Sequence, residues 1–316
     1  MITFGAVPSR RFGRSLGINN IPPKHCTYSC VYCQVGRTGQ LSHKRQTFYA
    51  PEEIVTEVTK RVGQLRANKQ TIDYLTFVAD GEPTLDRHLG ATIRQLRPLG
   101  IKIAVITNAS LLDLPDVRAE LLGVDWVSLK VDTVDPPVWH TINRPHPDLH
   151  LDEIMKGMQQ FAAQFHGALT TETILVRSLN DSADQIEAVA RFVAELKPAT
   201  AYLAVPTRPP AEPWVEPPAS EALNRAYQVF RQHCPAVELL TGYEGDAFAS
   251  TGNIETDLLS ITAVHPLRDD ALRSLLGKCS ADWTAVQHLL NTGHLTIANY
   301  NSHRFYIRTL PTAGAN

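Results

Sequence analysis

Between about residues 14 and 234 the chain alternates short apolar runs with amphipathic stretches, and no other feature constrains its fold as strongly. Strand-like runs lie at 16–21, 72–79, 101–106, 126–131, 171–176 and 200–205. Helix-like stretches separate them at 51–65, 88–96, 116–122, 152–165 and 182–196, and a last one follows at 220–233. Pro51 followed by Glu52 and Glu53 is a good helix start, with two acids set against the helix dipole. Repeated β-α pairs predict a parallel sheet with right-handed crossovers. Six strands are too few for a closed eight-stranded barrel, and in such folds ligand sites gather at the C-terminal ends of the strands.

Inside the first connection, Cys26, Cys30 and Cys33 follow the spacing C-x3-C-x2-C, with no fourth cysteine nearby. Thiolate sulfur selects zinc or iron–sulfur clusters, and a closed structural site wants four protein ligands. Three thiolates on a four-iron cluster leave one iron open to a small molecule. The competing reading is a structural zinc completed by His25 or His43, but zinc pairs usually have other spacings. Cys234 and Cys279 stand alone and read as plain buried thiols, so no disulfide framework exists and a reducing cytoplasm is expected.

The stretch Lys24-His25-Cys26-Thr27-Tyr28-Ser29-Cys30-Val31-Tyr32-Cys33 resembles the signature of the radical S-adenosylmethionine (SAM) superfamily, in which an aromatic residue precedes the last cysteine, here Tyr32. The resemblance implies a partial (β/α)6 barrel, and the six β-α units match that count. It also implies two cofactors, a 4Fe-4S cluster held by Cys26, Cys30 and Cys33 and SAM chelated to the open iron. The barrel is expected over 1–235, with its cluster loop at 22–37. A C-terminal extension is expected over 236–316.

Ala79-Asp80-Gly81-Glu82-Pro83-Thr84-Leu85 closes the second strand and by spacing alone is a turn. In this place it resembles the Gly-Gly-Glu-Pro motif that receives the SAM amino group, with Asp80 replacing the first glycine. A carboxylate there complements the charge of the amine. Asn108 after strand three, Lys130 and Asp132 at the end of strand four, and the 177–181 segment after strand five read as caps and ion-pair partners. Under the resemblance, Asn108 falls near the methionine or ribose of SAM, and Lys130 or Asp132 near its ribose or carboxylate.

Three further segments carry polar groups. Residues 5–17 pack Arg10, Arg11 and Arg14 among glycines and serines, either a solvated basic face or an anion site at the barrel mouth. Arg144 lies in Ile142-Asn143-Arg144-Pro145-His146. Tyr243, Glu244 and Asp246 lie in a segment that reads as a tight turn or as groups that handle protons or a cationic substrate. With the cluster loop and 205–210, these segments resemble the wyosine-base synthase-like iron–sulfur oxidoreductases. The tRNA-modifying wyosine enzymes carry extra cysteines before the triad. None precedes Cys26 here, so a single cluster is expected. His140, His146 and His150 lack tight ligand spacing and read as surface or loop residues. The proline-rich stretch 206–218 is a stiff connector or a rim to the site.

Residues from about 254 to 310 read as two or three short helices and a hairpin, similar to a winged helix-turn-helix module. Its Trp283, His288, His294, Tyr300, Phe305, Tyr306 and Arg308 form either an RNA-facing surface or a small core. Net charge is −2, from 30 basic and 32 acidic side chains, which argues against a dedicated nucleic-acid binder. No apolar run is long enough to span a membrane, and the N-terminal residues do not have a secretory pattern. The resemblance implies reductive SAM cleavage by an electron from a flavodoxin- or ferredoxin-type donor, acting on a small molecule, a peptide or a tRNA. Two rival readings are a tRNA-base-modifying enzyme and a non-enzymatic, DNA-binding iron–sulfur redox regulator.

Overall fold

All six expected strands form and lie side by side in the computed structural model, which describes residues 2–9, 11, 13–78, 80–241, 253–262, 266–300 and 302–309. They are β2 (Gly13–Ile18), β3 (Tyr74–Phe77), β4 (Lys102–Thr107), β5 (Trp126–Lys130), β6 (Ala168–Ile174) and β7 (Thr200–Ala204). Each pairs in parallel with the next. Two further strands extend the sheet. The first, β1 (Thr3–Ser9), runs antiparallel against β2. The last, β8 (Val237–Leu240), is parallel to β7. Among the described residues the sheet therefore has eight strands. Gly5 and Pro8 mask β1 in the sequence, and β8 is short and follows Pro235.

Helices α1 (Pro51–Ala67), α2 (Leu89–Leu96), α3 (Pro115–Leu121), α4 (Pro136–Ile142), α5 (Leu151–Gln164), α6 (Ala183–Glu195) and α7 (Ser220–His233) connect the strands. In α1 the buried residues Ile54, Val58, Val62 and Leu65 recur at helical spacing and form one apolar stripe. Such stripes pack on the outer face of the sheet, where Leu16, Ile18, Leu75, Phe77, Ile103, Val105, Val127 and Leu129 are fully buried. Each of these side chains contributes about 1.5–3 kcal/mol by leaving water.

Strand periodicity puts the alternate residues inside. Ser15, Gly17, Thr76, Ala104 and Ser128 are small, so the inner face leaves room rather than filling it. Phe4 of β1 lies over Gly17, where a β-carbon would come within 2.0 Å of the ring. The Ser15 and Thr76 hydroxyls hydrogen-bond across β2 and β3 at 2.6 Å.

The C-terminal unit contains α8 (Ile254–Thr262), β9 (Leu267–Arg268), α9 (Asp269–Lys278), α10 (Thr284–Asn291), β10 (Leu295–Tyr300) and β11 (His303–Arg308). Its antiparallel sheet runs in the order β9–β11–β10. Leu258, Leu272, Leu275, Val286, Leu289 and Tyr306 build a separate small core. Phe305 and Tyr306 are buried, so these two aromatics are core residues, whereas His288 and His294 are exposed. The unit packs on the barrel edge: Arg61 of α1 faces Asp257 at 3.8 Å, and the Tyr300 hydroxyl donates to the Pro206 carbonyl at 3.0 Å. No described helix is long and apolar enough to cross a membrane.

Candidate active site

After β2 the chain enters the cysteine loop, and the turn after β3 holds that loop from one side. Lys24 N donates to Asp80 O at 2.7 Å, and Glu82 N donates to His25 O at 3.1 Å. Gly81 is the reason the two backbones can meet: a β-carbon there would fall 1.7 Å from the His25 carbonyl oxygen. The glycine of this turn is thus required for close approach of two backbones. A two-residue parallel ladder, His25–Cys26 with Gln40–Leu41, closes the loop on itself. Tight turns bring Cys33 N to Cys30 O at 3.1 Å and Gly36 N to Cys33 O at 3.2 Å.

All three cysteine side chains line one cavity of about 360 Å³ at the C-terminal ends of the strands. Burial raises all three thiols, Cys30 to about 12 with Asp132 adding to the rise, so metal binding there must displace protons. Amides approach two of the sulfurs. Asn108 Nδ2 lies 3.6 Å from Cys26 Sγ and donates to Thr27 Oγ1 at 2.7 Å. Asn143 Nδ2 lies 3.4 Å from Cys30 Sγ and donates to Asp132 Oδ2 at 2.8 Å. The Tyr32 hydroxyl donates to the same Asp132 oxygen, and the Lys130 ammonium sits 5.1 Å over the Tyr32 ring.

The turn after β3 carries two buried carboxyls with different surroundings. Glu82 accepts hydrogen bonds from Thr84 N at 3.0 Å, Thr84 Oγ1 and Thr107 Oγ1 both at 2.6 Å, and Asn108 N at 2.8 Å. Burial raises its carboxyl, and these donors oppose the rise. Asp80 is also buried and faces the cavity, but its Oδ1 has no hydrogen-bond partner among the described residues. Burial pushes its carboxyl up to about 7, against the opposing charge of Arg308.

Across the cavity, Lys130 of β5 and Glu172 of β6 are register partners and meet at 2.7 Å. Arg11 reaches the other Glu172 oxygen at 2.5 Å. Burial favours the neutral acid, but Lys130 and Arg11 prevail and hold the Glu172 carboxyl at about 2. Two cations on one anion leave this wall positive.

The proline-rich stretch crosses the mouth. Pro206, Thr207 and Arg208 line the cavity, and Arg208 NH1 donates to Gln34 Oε1 at 2.6 Å. Farther on, Glu212 receives Arg37 through two bonds of 2.9 Å and Arg144 through one of 2.5 Å. Arg37 first, then Arg144, hold its carboxyl below the usual range. This stretch is a rim to the site as well as a connector.

Of the residues proposed from sequence, Cys26, Cys30, Cys33, Tyr32, Asp80, Gly81 and Lys130 line the cavity. Glu82, Asn108 and Asp132 stand behind that lining and hold it through the bonds above. Arg144 is outside it, engaged by Glu212 on the flank of the cysteine loop. Tyr243, Glu244 and Asp246 lie outside the described residues, as does Arg10. Glu172, Asn143 and Glu212 were missed; the signal for Glu172 was an acid embedded in the strand run Ala168-Leu169-Thr170-Thr171-Glu172-Thr173-Ile174.

The arrangement tests whether the residues fit the implied cofactors. Three sulfur donors share one cavity with a buried carboxylate oxygen that has no hydrogen-bond partner among the described residues, and a glycine cradle holds the loop against the turn. Soft donors with one ligand short of four fit a cluster with an open iron, and the lone carboxylate fits a cationic amine. The site fits both groups.

Comparisons with known proteins point the same way. The family model described as "Radical SAM superfamily" matches residues 20–193. The chain is 44% identical over 317 residues to the UPF0026 protein MJ1312 of Methanocaldococcus jannaschii, covering 100% of this chain and 98% of that protein. It is 29% identical over 189 residues to a probable GTP 3',8-cyclase of Pyrococcus horikoshii, covering 59% of this chain and 55% of that one. In fold it is similar to a radical SAM methyltransferase from Sphaerobacter thermophilus, with a TM-score of 0.52 and 16% identity over 72% of this chain and 66% of that one.

Proposed function

The chain belongs to the radical SAM superfamily, and from that premise we propose that it cleaves SAM reductively at a single 4Fe-4S cluster to start radical chemistry on a substrate held in the strand-end cavity. The superfamily consists of enzymes that use this cluster and SAM, which favours catalysis over the DNA-binding regulator reading. The observation that carries the proposal is the convergence of Cys26, Cys30 and Cys33 on one cavity that also holds the Asp80 oxygen left without a hydrogen-bond partner among the described residues.

Bound there, the cluster would supply a low-potential electron and SAM the adenosyl group for hydrogen-atom chemistry on the substrate. Cys26, Cys30 and Cys33 would hold the cluster, and Asn108 and Asn143 direct amide N–H groups at two of the sulfurs. Asp80 and the backbone beside Gly81 would receive the SAM amino group. Arg11, Lys24, Lys130 and Arg208 face Asp80 and Glu172 around the cavity, so the wall favours an anionic group of cofactor or substrate. The 206–208 rim lines the mouth, and the adjoining C-terminal unit, which we read as winged-helix-like, holds it through the Tyr300 hydroxyl. A flavodoxin- or ferredoxin-type protein is the proposed electron donor.

The test is anaerobic reconstitution, reduction with dithionite and quantitation of 5'-deoxyadenosine after adding SAM, beside a Cys30→Ala control. Product from the wild-type chain alone is the expected result. A loaded, reduced cluster that yields none would sink the proposal.

A further inference from the structure

On the flank of the cysteine loop, outside the cavity lining, His43, His146 and Asp148 converge. Their sequence positions conceal this, because His43 and His146 are 103 residues apart. The fold joins them through the backbone carbonyls of Cys26 and Thr27. Ser42 N donates to Cys26 O at 3.0 Å, which carries His43 to the loop, and His146 N donates to Thr27 O at 2.9 Å, which brings the segment after α4 beside it. His146 lies in a loop, half-buried against His43, while His140 and His150 are exposed.

The two imidazoles present Nδ1 to Nδ1 at 3.1 Å, with ring centroids 4.4 Å apart and planes tilted by 49°. Asp148 N donates to His146 Nδ1 at 3.2 Å, so that nitrogen carries a lone pair, and a cation bound there would displace this hydrogen bond. Two imidazole nitrogens this close need a proton or a cation between them. Asp148 Oδ2 closes a third side, 3.6 Å from His43 Nδ1 and 3.8 Å from His146 Nδ1. Zinc–nitrogen bonds of about 2.0–2.1 Å in a tetrahedron give ligand-to-ligand edges of about 3.3 Å. Right-angled octahedral ligands at the same bond length would be about 2.9 Å apart. The three observed edges bracket the tetrahedral value, and Asp148, whose side chain is 66% exposed, is free to close the two longer ones.

We propose that His43 Nδ1, His146 Nδ1 and Asp148 Oδ2 bind one zinc ion, with water in the fourth position. Two imidazoles and a carboxylate match the ligand chemistry of zinc, and the ion would replace the shared proton. It would clasp the segment after the Gln40–Leu41 ladder to the segment after α4, on both sides of Thr27, the residue next to Cys26. This site is independent of the three cysteines and of the reaction proposed above.

The experiment uses the full chain, reconstituted anaerobically so that the cluster occupies the cysteines, then incubated with zinc sulfate and desalted. Zinc and iron are counted, and zinc-edge X-ray absorption identifies the ligands. Expected are one zinc per chain beside the cluster iron, nitrogen and oxygen scatterers only, and loss of zinc with iron retained in His43→Ala and Asp148→Ala. Asp148→Ala alters an exposed side chain, so its result does not depend on folding. Absence of retained zinc in the wild-type chain, equal retention by the variants, or sulfur scattering from zinc lodged in the cysteines would each overturn the proposal. Failure of the radical SAM reading would show instead as missing iron or absent SAM cleavage.

Discussion

Gly81 packs against the His25 carbonyl so closely that no other residue fits: the first side-chain atom would sit 1.7 Å from the oxygen. Gly81→Ala must push the turn after β3 off the cysteine loop. Overpacking of this kind costs about 1–3 kcal/mol or more. The expected outcome is a lower unfolding midpoint and weaker iron incorporation than wild type, measured by thermal unfolding and iron analysis. Wild-type iron content in the variant would show that the contact does not position the loop.

Asn143 directs an amide N–H at Cys30 Sγ from 3.4 Å. Hydrogen bonds to cluster sulfurs raise the reduction potential. Asn143→Ala should lower it by roughly 20–60 mV, the equivalent of one net hydrogen bond in a one-electron couple. A potentiometric titration followed by electron paramagnetic resonance checks this, and an unchanged potential at full iron loading would count against it.

Asp80 titrates at about 7 in the fold, above the ordinary carboxylate value of about 3.9. Its contribution to the stability of the cofactor-free chain is present near the lower value and lost as pH rises through the upper one. Asp80→Asn should thus unfold at a higher temperature than wild type above pH of about 7 and show no such gain near pH of about 4. SAM binding follows the opposite trend, since its amine needs the charged acid. Wild-type affinity should rise with pH through about 7, while the variant stays flat and binds roughly 10–100-fold more weakly in the alkaline range. Calorimetry at three pH values tests both.

Glu172 is the shared anion of Lys130 and Arg11. Glu172→Gln leaves two buried cations without it, at a cost of about 3–5 kcal/mol. Because the Glu172 carboxyl is held at about 2, the wild-type advantage is complete above the ordinary glutamate value of about 4.3 and shrinks as pH falls toward about 2. Denaturant titrations at neutral and acid pH should show the gap closing; a gap independent of pH would contradict it.

The barrel was legible because buried strands and amphipathic helices leave periodic traces, as at Ile54, Val58, Val62 and Leu65. The cysteine triad and the Asp80–Glu82 turn were legible because their chemistry demands fixed spacing. Other parts depend on pairing across the sheet or between loops, which spacing does not encode. Lys130 finds Glu172 only because β5 and β6 are in register. Asn143 reaches Cys30 only because Val31 N donates to Ile142 O at 2.9 Å and Ser29 N to Asn143 O at 3.0 Å. Arg144 was singled out for its company of polar neighbours, but the same strapping turns it outward to Glu212.

Glu212 belongs to the stretch crossing the mouth, while Arg37 belongs to the cysteine loop and Arg144 to the segment after α4. A molecule too large to pass the rim must displace that stretch, and this breaks up an arrangement in which one acid serves two guanidiniums. Admission of a bulky guest is thereby tied to the loss of both guanidinium pairs at Glu212.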